Sequence, residues 1–181
     1  MKRPALFLDR DGVINVDHGY VHTIEAFQFV EGIFELVAEA NLRGYLVVVV
    51  TNQAGIGRGF YTEAAFLELM RWMTNQFANH GASIDAIYFC PFHPEHGLGE
   101  YRKHSEFRKP GSGMLLQAAQ EHDIDLPRSL ILGDKVSDMQ AGKAAKVGGL
   151  FYLGESPCGD IGTQIQSPRD VLPFLTSVEK V

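Results

Sequence analysis

The sequence has few cysteines and no long apolar run. Two cysteines, Cys90 and Cys158, occur among 181 residues, too few for the disulfide framework of a small secreted protein. The longest strongly apolar run, Leu46 to Val50, is far shorter than the ~20 residues of a membrane-spanning helix. Charged residues at positions 9–11 interrupt the apolar stretch that a signal peptide needs. We therefore expect a cytoplasmic protein that does not associate with membranes.

An excess of positive charge is also missing. The chain carries 16 basic and 22 acidic residues, a formal net charge of −6, and this balance disfavours a surface that binds nucleic acid. Apolar residues make up 45% of the composition and charged residues 21%, as in an ordinary globular protein. A chain of this length folds as one domain without disulfides. We expect residues 1–181 to form that single domain and to be a monomer.

Short apolar runs alternate with longer amphipathic stretches along the chain. Strands are predicted at residues 5–8, 46–50, 84–89, 129–132 and 150–153. Helices are predicted at 34–42, 62–80 and 114–122, from the capping-box spacing of Ser137 and Gln140 onward, and after Ser167. Because parallel strands require crossover helices, this alternation predicts a doubly wound, mainly parallel α/β sheet of the Rossmann type. The chain has no insertion long enough for a separate cap domain.

Polar side chains follow three of the predicted strands, where parallel sheets bind ligands. The first strand is followed by Asp9 and Asp11, the second by Thr51, Asn52 and Gln53, and the fourth by Asp134 and Lys135. A carboxylate beside a buried strand is unfavourable unless it is neutralised, and Mg²⁺ prefers such oxygen ligands. Asp9 and Asp134 are therefore candidate Mg²⁺ ligands. Asp9 and Asp11, two residues apart, are a candidate nucleophile and proton-transfer pair, although an isolated Asp-x-Asp pair also occurs in turns and caps.

Four segments resemble, in order, the four motifs of the haloacid dehalogenase superfamily of phosphatases. They are Asp-Arg-Asp-Gly-Val at residues 9–13, Val-Thr-Asn-Gln at 50–53, Arg-Lys-Pro at 108–110, and Gly-Asp-Lys at 133–135 with Asp138. Longer strings at 7–15, 52–59 and 134–139 resemble a narrower group, which acts on heptose 1,7-bisphosphate and on histidinol phosphate. The resemblance covers most of the chain and implies an Mg²⁺-dependent enzyme that removes the C7 phosphate of D-glycero-D-manno-heptose 1,7-bisphosphate.

The resemblance also implies a role for each motif residue. Asp9 would be the nucleophile that forms an aspartyl-phosphate intermediate. Asp11 would protonate the leaving oxygen and then activate water. Thr51, Asn52 and Lys109 would bind the phosphoryl group and offset its charge. The Mg²⁺ ligands would be Asp9, Asp134 and the backbone carbonyl of Asp11.

Loops around the site would recognise the substrate, because no cap domain covers it. Arg108 suits a second, non-reacting phosphate, since its planar guanidinium binds phosphate through two hydrogen bonds. For Arg58, a solvated loop charge is an equal alternative. The other candidate substrate-binding residues are Asp17, His18, Gly19, Tyr20, Gln53 and Lys135.

Bacterial relatives of this group carry a zinc loop before the third motif, and this sequence departs from that pattern. One of the four ligands, Cys90, is in register. Phe92 stands in place of the ligand histidine, and Ser105 and Phe107 replace the later cysteines. Because a structural zinc site needs four ligands, we predict no zinc and expect Phe92 and Phe107 to be buried instead. A different arrangement remains open, in which Cys90 is joined by His93, His96 and His104.

Three functions remain open from the sequence. The first is a heptose bisphosphate phosphatase. The second is a phosphatase of histidinol phosphate or of another small phosphate monoester. The third is a non-catalytic protein that binds Mg²⁺ and phosphate, and Asp11 disfavours it because binding alone requires no second, proton-handling carboxylate.

Overall fold

The computed structural model describes residues 2–177. Within that range six strands form one sheet: β1 (Ala5–Leu8), β2 (Leu46–Asn52), β3 (Ala86–Cys90), β4 (Leu130–Gly133), β5 (Gly149–Tyr152) and β6 (Thr163–Gln164). All neighbours are parallel and the order is β3-β2-β1-β4-β5-β6. The predicted doubly wound α/β fold is confirmed. The sequence did not predict β6, because its two exposed residues form no apolar run.

Helices connect the strands and cover both faces of the sheet. The α-helices are α1 (Ile33–Leu42), α2 (Ala54–Gly57), α3 (Glu63–Asn79), α4 (Gly113–Glu121) and α5 (Val136–Ala144). Short 3-10 helices cover Gly99–Tyr101, Leu126–Arg128, Gly159–Ile161 and Pro168–Phe174. Across residues 2–177, no helix combines the length and hydrophobicity required to cross a membrane.

Helix α3 begins and ends as its sequence predicts. The Thr62 side chain accepts a hydrogen bond from the Ala65 N–H and so satisfies a free donor of the first turn. Apolar residues at helical spacing form its buried face, and Gly81, with φ of +71°, follows its end.

Helix α5 begins earlier than the predicted capping box. Its N-cap is Lys135, and the Asp138 carboxylate accepts a hydrogen bond from the Lys135 N–H at 3.0 Å. The predicted box at Ser137 and Gln140 is therefore wrong by two residues. The physical reason is that an anion in the first helical turn interacts favourably with the helix dipole, and Asp138 provides that anion.

The sheet is buried on both faces. In β1, Leu6 and Leu8 pack into the cluster that contains residues of α1 and α3, whereas Ala5 and Phe7 pack into the cluster that contains residues of α4 and α5. Burial on both faces explains why the strands are apolar without alternation. Polar side chains are consequently concentrated at the strand ends.

The strand order reverses beside β1, whose neighbours are β2 and β4. The chain leaves the end of β1 at Gly12, where φ is +86°. A Cβ atom on Gly12 would lie 2.0 Å from Asp134 Oδ2. Only glycine therefore allows the segment after β1 to pass so close to the carboxylate after β4, and this crevice is where doubly wound sheets bind ligands.

Candidate active site

Three carboxylates meet at the ends of β1 and β4 and the start of α5. Ligand oxygens of Asp9, Asp134 and Asp138 lie within 4.8 Å of one another. Asp134 Oδ1 is buried and has no hydrogen-bond partner among residues 2–177. A buried carboxylate oxygen without a partner is unfavourable, and a divalent cation removes that cost. The donor set therefore fits Mg²⁺, which takes oxygen ligands.

Lys109 lies buried between two of these carboxylates. Its Nζ is 2.9 Å from Asp9 Oδ1 and 2.6 Å from Asp138 Oδ1, and it donates to the Val50 carbonyl at 2.8 Å. Burial alone would lower the pKa of Lys109, but Asp138 and Asp9 outweigh it and raise the pKa above its usual range. The ammonium group thus remains charged at the site.

The carboxylates still carry more negative charge than the protein neutralises. Burial raises the pKa of Asp9 to about 7; Lys109 opposes this rise, and Asp138 and Asp134 add to it. Burial also raises the pKa of Asp134 to about 6, against the effect of Lys135. A bound cation would favour the ionised forms of both groups.

Asp11 accepts hydrogen bonds on both carboxylate oxygens. Oδ1 accepts from Asn15 Nδ2 at 3.1 Å and from Arg10 Nε at 3.2 Å, and Oδ2 accepts from Gln53 Nε2 at 3.0 Å. These partners fix the direction of a side chain that lines the same cavity as Asp9. Asp9 and Asp11 thus line one cavity, and their action at one reaction centre stays a prediction.

Arg10 is a buried cation for which the sequence pattern predicts no role. It is 0% exposed, its Cζ lies 6.0 Å from the Phe27 ring centroid and 5.8 Å from that of Phe66, and it pairs with Asp11. Nη2 also donates to the Val21 carbonyl. The sequence signal was present: an arginine between two aspartates directly after a buried strand requires an internal partner.

The end of β2 provides three polar side chains with different partners. Thr51 is fully buried, and its Oγ1 accepts from Gln53 Nε2 at 2.9 Å. The Asn52 amide donates to the Lys109 carbonyl and accepts from the Lys109 N–H, both at 3.0 Å. Asn52 therefore holds the backbone of the third motif against β2, which places the Lys109 side chain beside Asp9.

A cavity of about 540 Å³ opens over this cluster. His18 and Arg58 lie outside its lining. Thr51 and Asp134 also lie outside the lining: Thr51 is fully buried, and Asp134 lies against Gly12. The predicted site residues that line the cavity are Asp9, Asp11, Asp17, Gly19, Tyr20, Asn52, Gln53, Arg108, Lys109 and Lys135.

Arg58 is engaged with aromatic residues at the rim. Its Nη1 donates to the Tyr20 hydroxyl at 2.6 Å, and its Cζ lies 5.5 Å from the Tyr20 ring centroid and 5.0 Å from that of Phe60. Tyr20 has a positive φ of +52° and is 42% exposed. Arg58 thus holds Tyr20 at the mouth of the cavity, and direct binding of substrate by Arg58 stays a prediction.

The loop between β3 and α4 packs only partly as expected. Phe92 is half-buried against the core, with the Lys103 ammonium 4.0 Å from its ring centroid. Phe107 is 41% exposed, so its predicted burial is wrong. Apolar packing from Phe92 and backbone hydrogen bonds, including that from the Leu98 N–H to the Gly57 carbonyl at 2.7 Å, hold the loop instead.

The candidate zinc ligands have other contacts. Cys90 is buried, which raises the pKa of its thiol. His93 Nδ1 accepts from the Glu95 N–H at 3.1 Å and the His96 N–H at 3.0 Å, and His104 is exposed. The absence of zinc stays a prediction.

Comparison with known proteins gives a consistent result. The HAD-hydrolase-like family model matches residues 106–177. The D-glycero-alpha-D-manno-heptose-1,7-bisphosphate 7-phosphatase of Burkholderia mallei is 54% identical over 97% of this chain and 95% of its own length. The D-glycero-beta-D-manno-heptose-1,7-bisphosphate 7-phosphatase of Vibrio cholerae is 53% identical over 99% of this chain and 100% of its own.

A solved structure extends the similarity to three dimensions. The D,D-heptose 1,7-bisphosphate phosphatase from B. bronchiseptica, complexed with magnesium and phosphate, superimposes with a TM-score of 0.81. It is 27% identical, and the match covers 97% of this chain and 98% of that one.

Proposed function

Since the chain belongs to the heptose-1,7-bisphosphate 7-phosphatases of the haloacid dehalogenase-like hydrolases, we propose that it removes the C7 phosphate of D-glycero-D-manno-heptose 1,7-bisphosphate. The observation that carries this proposal is the meeting of Asp9, Asp11 and Lys109 in one cavity. The two relatives above have nearly equal identity and are named for opposite anomers. Both anomers are therefore candidate substrates.

The chain's own residues divide the chemistry among them. Asp9 attacks phosphorus and becomes the aspartyl-phosphate, and the Arg10 N–H and Lys109 Nζ hold its Oδ1 at 2.8 and 2.9 Å. Asp11 donates a proton to the departing sugar oxygen and then takes one from water. Thr51 and Lys109 stabilise charge that develops on the phosphoryl oxygens.

The carboxylate cluster is the proposed metal site. Asp9, Asp134 and the backbone carbonyl of Asp11 would bind Mg²⁺, and the unpartnered Asp134 oxygen supports this set. Bound Mg²⁺ neutralises phosphoryl charge and orients the phosphate. Asp138 acts differently, because it pairs with Lys109 and caps α5.

Substrate choice is the first test. Initial rates are compared on both anomers of heptose 1,7-bisphosphate, on histidinol phosphate and on an aryl phosphate, with and without Mg²⁺. We expect a heptose bisphosphate to have the highest kcat/KM and every rate to require Mg²⁺. A higher kcat/KM on histidinol phosphate than on either heptose bisphosphate would favour the second candidate function. If none of the substrates were hydrolysed, the non-catalytic protein that binds Mg²⁺ and phosphate would be the remaining candidate.

We propose that Arg108 binds the second, non-reacting phosphate of the substrate. It lines the cavity beside Lys109, and among residues 2–177 its guanidinium donates one hydrogen bond, to the Phe92 carbonyl, which is long at 3.4 Å. A phosphate would be a stronger partner than this carbonyl, because both groups are charged and the contact is bidentate. Arg108→Ala should therefore lower kcat/KM about 10- to 150-fold on the bisphosphate, corresponding to a contact of roughly 1.5–3 kcal/mol.

The comparison that isolates this role uses an aryl monophosphate and a matched variant. Arg108→Ala should change kcat/KM on the monophosphate by less than about threefold, because that substrate lacks the second phosphate. Arg102→Ala removes an exposed arginine of the same loop and should leave both substrates unaffected. Equal losses of kcat/KM on the two substrates would show that Arg108 does not bind the second phosphate.

A further inference from the structure

A buried tyrosine, Tyr61, lines the same cavity as the candidate proton-transfer residue Asp11. We propose that Tyr61 is a positioning residue for Asp11 and acts through the side-chain amide of Gln53. The inference rests on the proposed function in that Asp11 moves protons and Thr51 binds the phosphoryl group. It concerns the step in which the leaving oxygen departs, whatever the substrate.

The Gln53 amide uses both of its ends. Gln53 is 1% exposed. Its Nε2 donates to Asp11 Oδ2 at 3.0 Å and to Thr51 Oγ1 at 2.9 Å. Its Oε1 accepts from the Tyr61 hydroxyl at 2.6 Å. One amide therefore connects the proton-transfer residue, the phosphoryl-binding threonine and Tyr61. Each connection joins atoms that are buried or half-buried, where a missing partner is costly.

The direction of the amide matters because an ionised carboxylate only accepts hydrogen bonds. If Gln53 were flipped, its carbonyl oxygen would face Asp11 Oδ2: it would repel the ionised carboxylate, and it would accept a hydrogen bond from the protonated carboxyl in competition with the leaving oxygen. The Tyr61 hydroxyl donates to the opposite end of the amide and stabilises the productive direction. Burial raises the pKa of Tyr61 to about 12, so the hydroxyl keeps its proton under all ordinary conditions.

The same amide orients Thr51. Because Nε2 occupies an acceptor site of Oγ1, the hydroxyl hydrogen of Thr51 is left to donate to another group. The proposed recipient is a phosphoryl oxygen. The orientation of the Gln53 amide thus determines the orientation of both the Asp11 carboxylate and the Thr51 hydroxyl.

Neighbouring residues fix the tyrosine ring. The His22 ring stacks on it, with centroids 4.9 Å apart and an interplanar angle of 6°. The ring also lies against Gly55, where a Cβ atom would come 2.3 Å from Cε1 and 2.7 Å from the hydroxyl oxygen of Tyr61. Gly55 is therefore needed to admit the ring, and its replacement gives an independent way to move Tyr61.

The first experiment measures kcat/KM for Tyr61→Phe on a series of aryl phosphates, from phenyl to dinitrophenyl phosphate. Because kcat/KM covers the steps up to departure of the leaving group, it reports on proton donation and is unaffected by the later attack of water. We expect about a tenfold loss on phenyl phosphate, whose leaving group needs a proton, and less than a twofold change on dinitrophenyl phosphate. The plot of log kcat/KM against leaving-group pKa should therefore become steeper.

Two further variants separate positioning from general disturbance. Gly55→Ala should reproduce the steeper plot, because its methyl group displaces the Tyr61 ring. Tyr88→Phe is the matched control: it removes a tyrosine hydroxyl that is hydrogen-bonded to Glu121 on another element, and it should leave the plot unchanged. Equal losses on every ester in Tyr61→Phe would overturn the proposal.

A double-mutant cycle tests whether the effect passes through Asp11. In the Asp11→Asn background, Tyr61→Phe should cause no further change in the slope. A further steepening of the same size would show that Tyr61 acts by another route.

Nuclear magnetic resonance gives a readout that needs no turnover. The side-chain amide protons of Gln53, assigned with Gln53→Glu, should shift in both Tyr61→Phe and Asp11→Asn. Unshifted amide protons in Tyr61→Phe would overturn the inference even if the enzyme proved inactive on every ester. Conversely, shifted protons in a protein that does not hydrolyse heptose bisphosphate would contradict the proposed function alone.

Discussion

At the scale of single residues, the site is built from buried charges that neutralise one another. Arg10 and Lys109 are 0% and 3% exposed, and each is paired with carboxylates that are themselves largely buried. Removing one member of such a pair leaves an uncompensated charge, which typically costs about 3–5 kcal/mol. The pairs therefore impose specific positions on Asp9, Asp11 and Asp138, whatever their net contribution to stability.

The sharpest prediction at this scale concerns Asp9. Asp9→Asn replaces the attacking oxygen with a poorly nucleophilic amide and removes a charged ligand of the proposed metal site. We expect kcat to fall more than about a thousandfold, a loss of ~4 kcal/mol of transition-state stabilisation. Steady-state kinetics on an aryl phosphate, with circular dichroism to verify folding, provide the measurement.

Asp123→Asn is a suitable control for that change. Asp123 is exposed and has a φ of +51°, a conformation that asparagine also tolerates. It should retain full activity. If Asp9→Asn kept more than about a thousandth of the original kcat, Asp9 would not be the nucleophile.

At the scale of elements, the same residue often serves both the helix and the site. Asp138 caps the first turn of α5 through the Lys135 N–H and also pairs with Lys109. Gly12 ends the segment after β1 and leaves room for the Asp134 carboxylate. The candidate site residues thus lie at the ends of strands and helices, which are more rigid than the surrounding loops.

The loop at residues 91–112 carries the prediction that belongs to this scale. Its own Phe92 packs against the core, and its Leu98 N–H donates to the Gly57 carbonyl. Cys90, the one residue that matches the expected zinc pattern, directly precedes the loop at the end of β3. Protein purified without added metal should contain far less than one zinc ion per chain by elemental analysis. After Mg²⁺ has been removed by dialysis, a zinc chelator should leave the melting temperature unchanged, because a structural zinc site contributes directly to folding.

One zinc ion per chain, or a markedly lower melting temperature with the chelator, would contradict the prediction that this loop binds no zinc. The histidines at positions 93, 96 and 104 would then be the ligands to test beside Cys90.

At the scale of the whole molecule, the site exists because the sheet brings distant segments together. Asp9 and Asp134 are far apart in sequence, yet β1 and β4 are neighbours in the sheet. Their carboxylates repel one another in the folded protein and are separated in the unfolded chain. A cation that binds both should therefore stabilise the native fold.

Added Mg²⁺ should accordingly raise the melting temperature. At a hundredfold excess over Kd, binding to the native state alone contributes about 2.7 kcal/mol, which corresponds to a rise of about 5–10 °C for a chain of this size. Differential scanning calorimetry in chelator and in Mg²⁺ measures the difference. Asp134→Ala should greatly reduce this shift, and high Mg²⁺ should restore part of its activity.

An Asp134→Ala protein that showed the full Mg²⁺ shift would exclude Asp134 as a ligand. Asp123→Asn, which changes an exposed carboxylate away from the site, should show the same shift as the unaltered protein.

The sequence by itself determined five of the six strands that residues 2–177 form, most of the helices and the main candidate site residues. Apolar runs such as Leu46 to Val50 reveal buried strands because hydrophobic pattern is a local property of the chain. Asp9, Asp11 and Asp134 could be read directly because each follows a strand, and strand ends of a parallel sheet lie at one edge. The motif resemblance then added roles that spacing alone does not provide.

The tertiary structure alone decided the partners of those residues. The pairing of Asp138 with Lys109, the contact of Tyr61 with Gln53 and the exposure of Phe107 depend on which segments the sheet places side by side. The predicted start of α5 at Ser137 is also wrong, because Ser137 and Asp138 are both residue types that favour the first turn of a helix, and local sequence does not decide between them. Local pattern shows which side chains require a partner, but the partner lies elsewhere in the sequence, and only folding brings the two within hydrogen-bond distance.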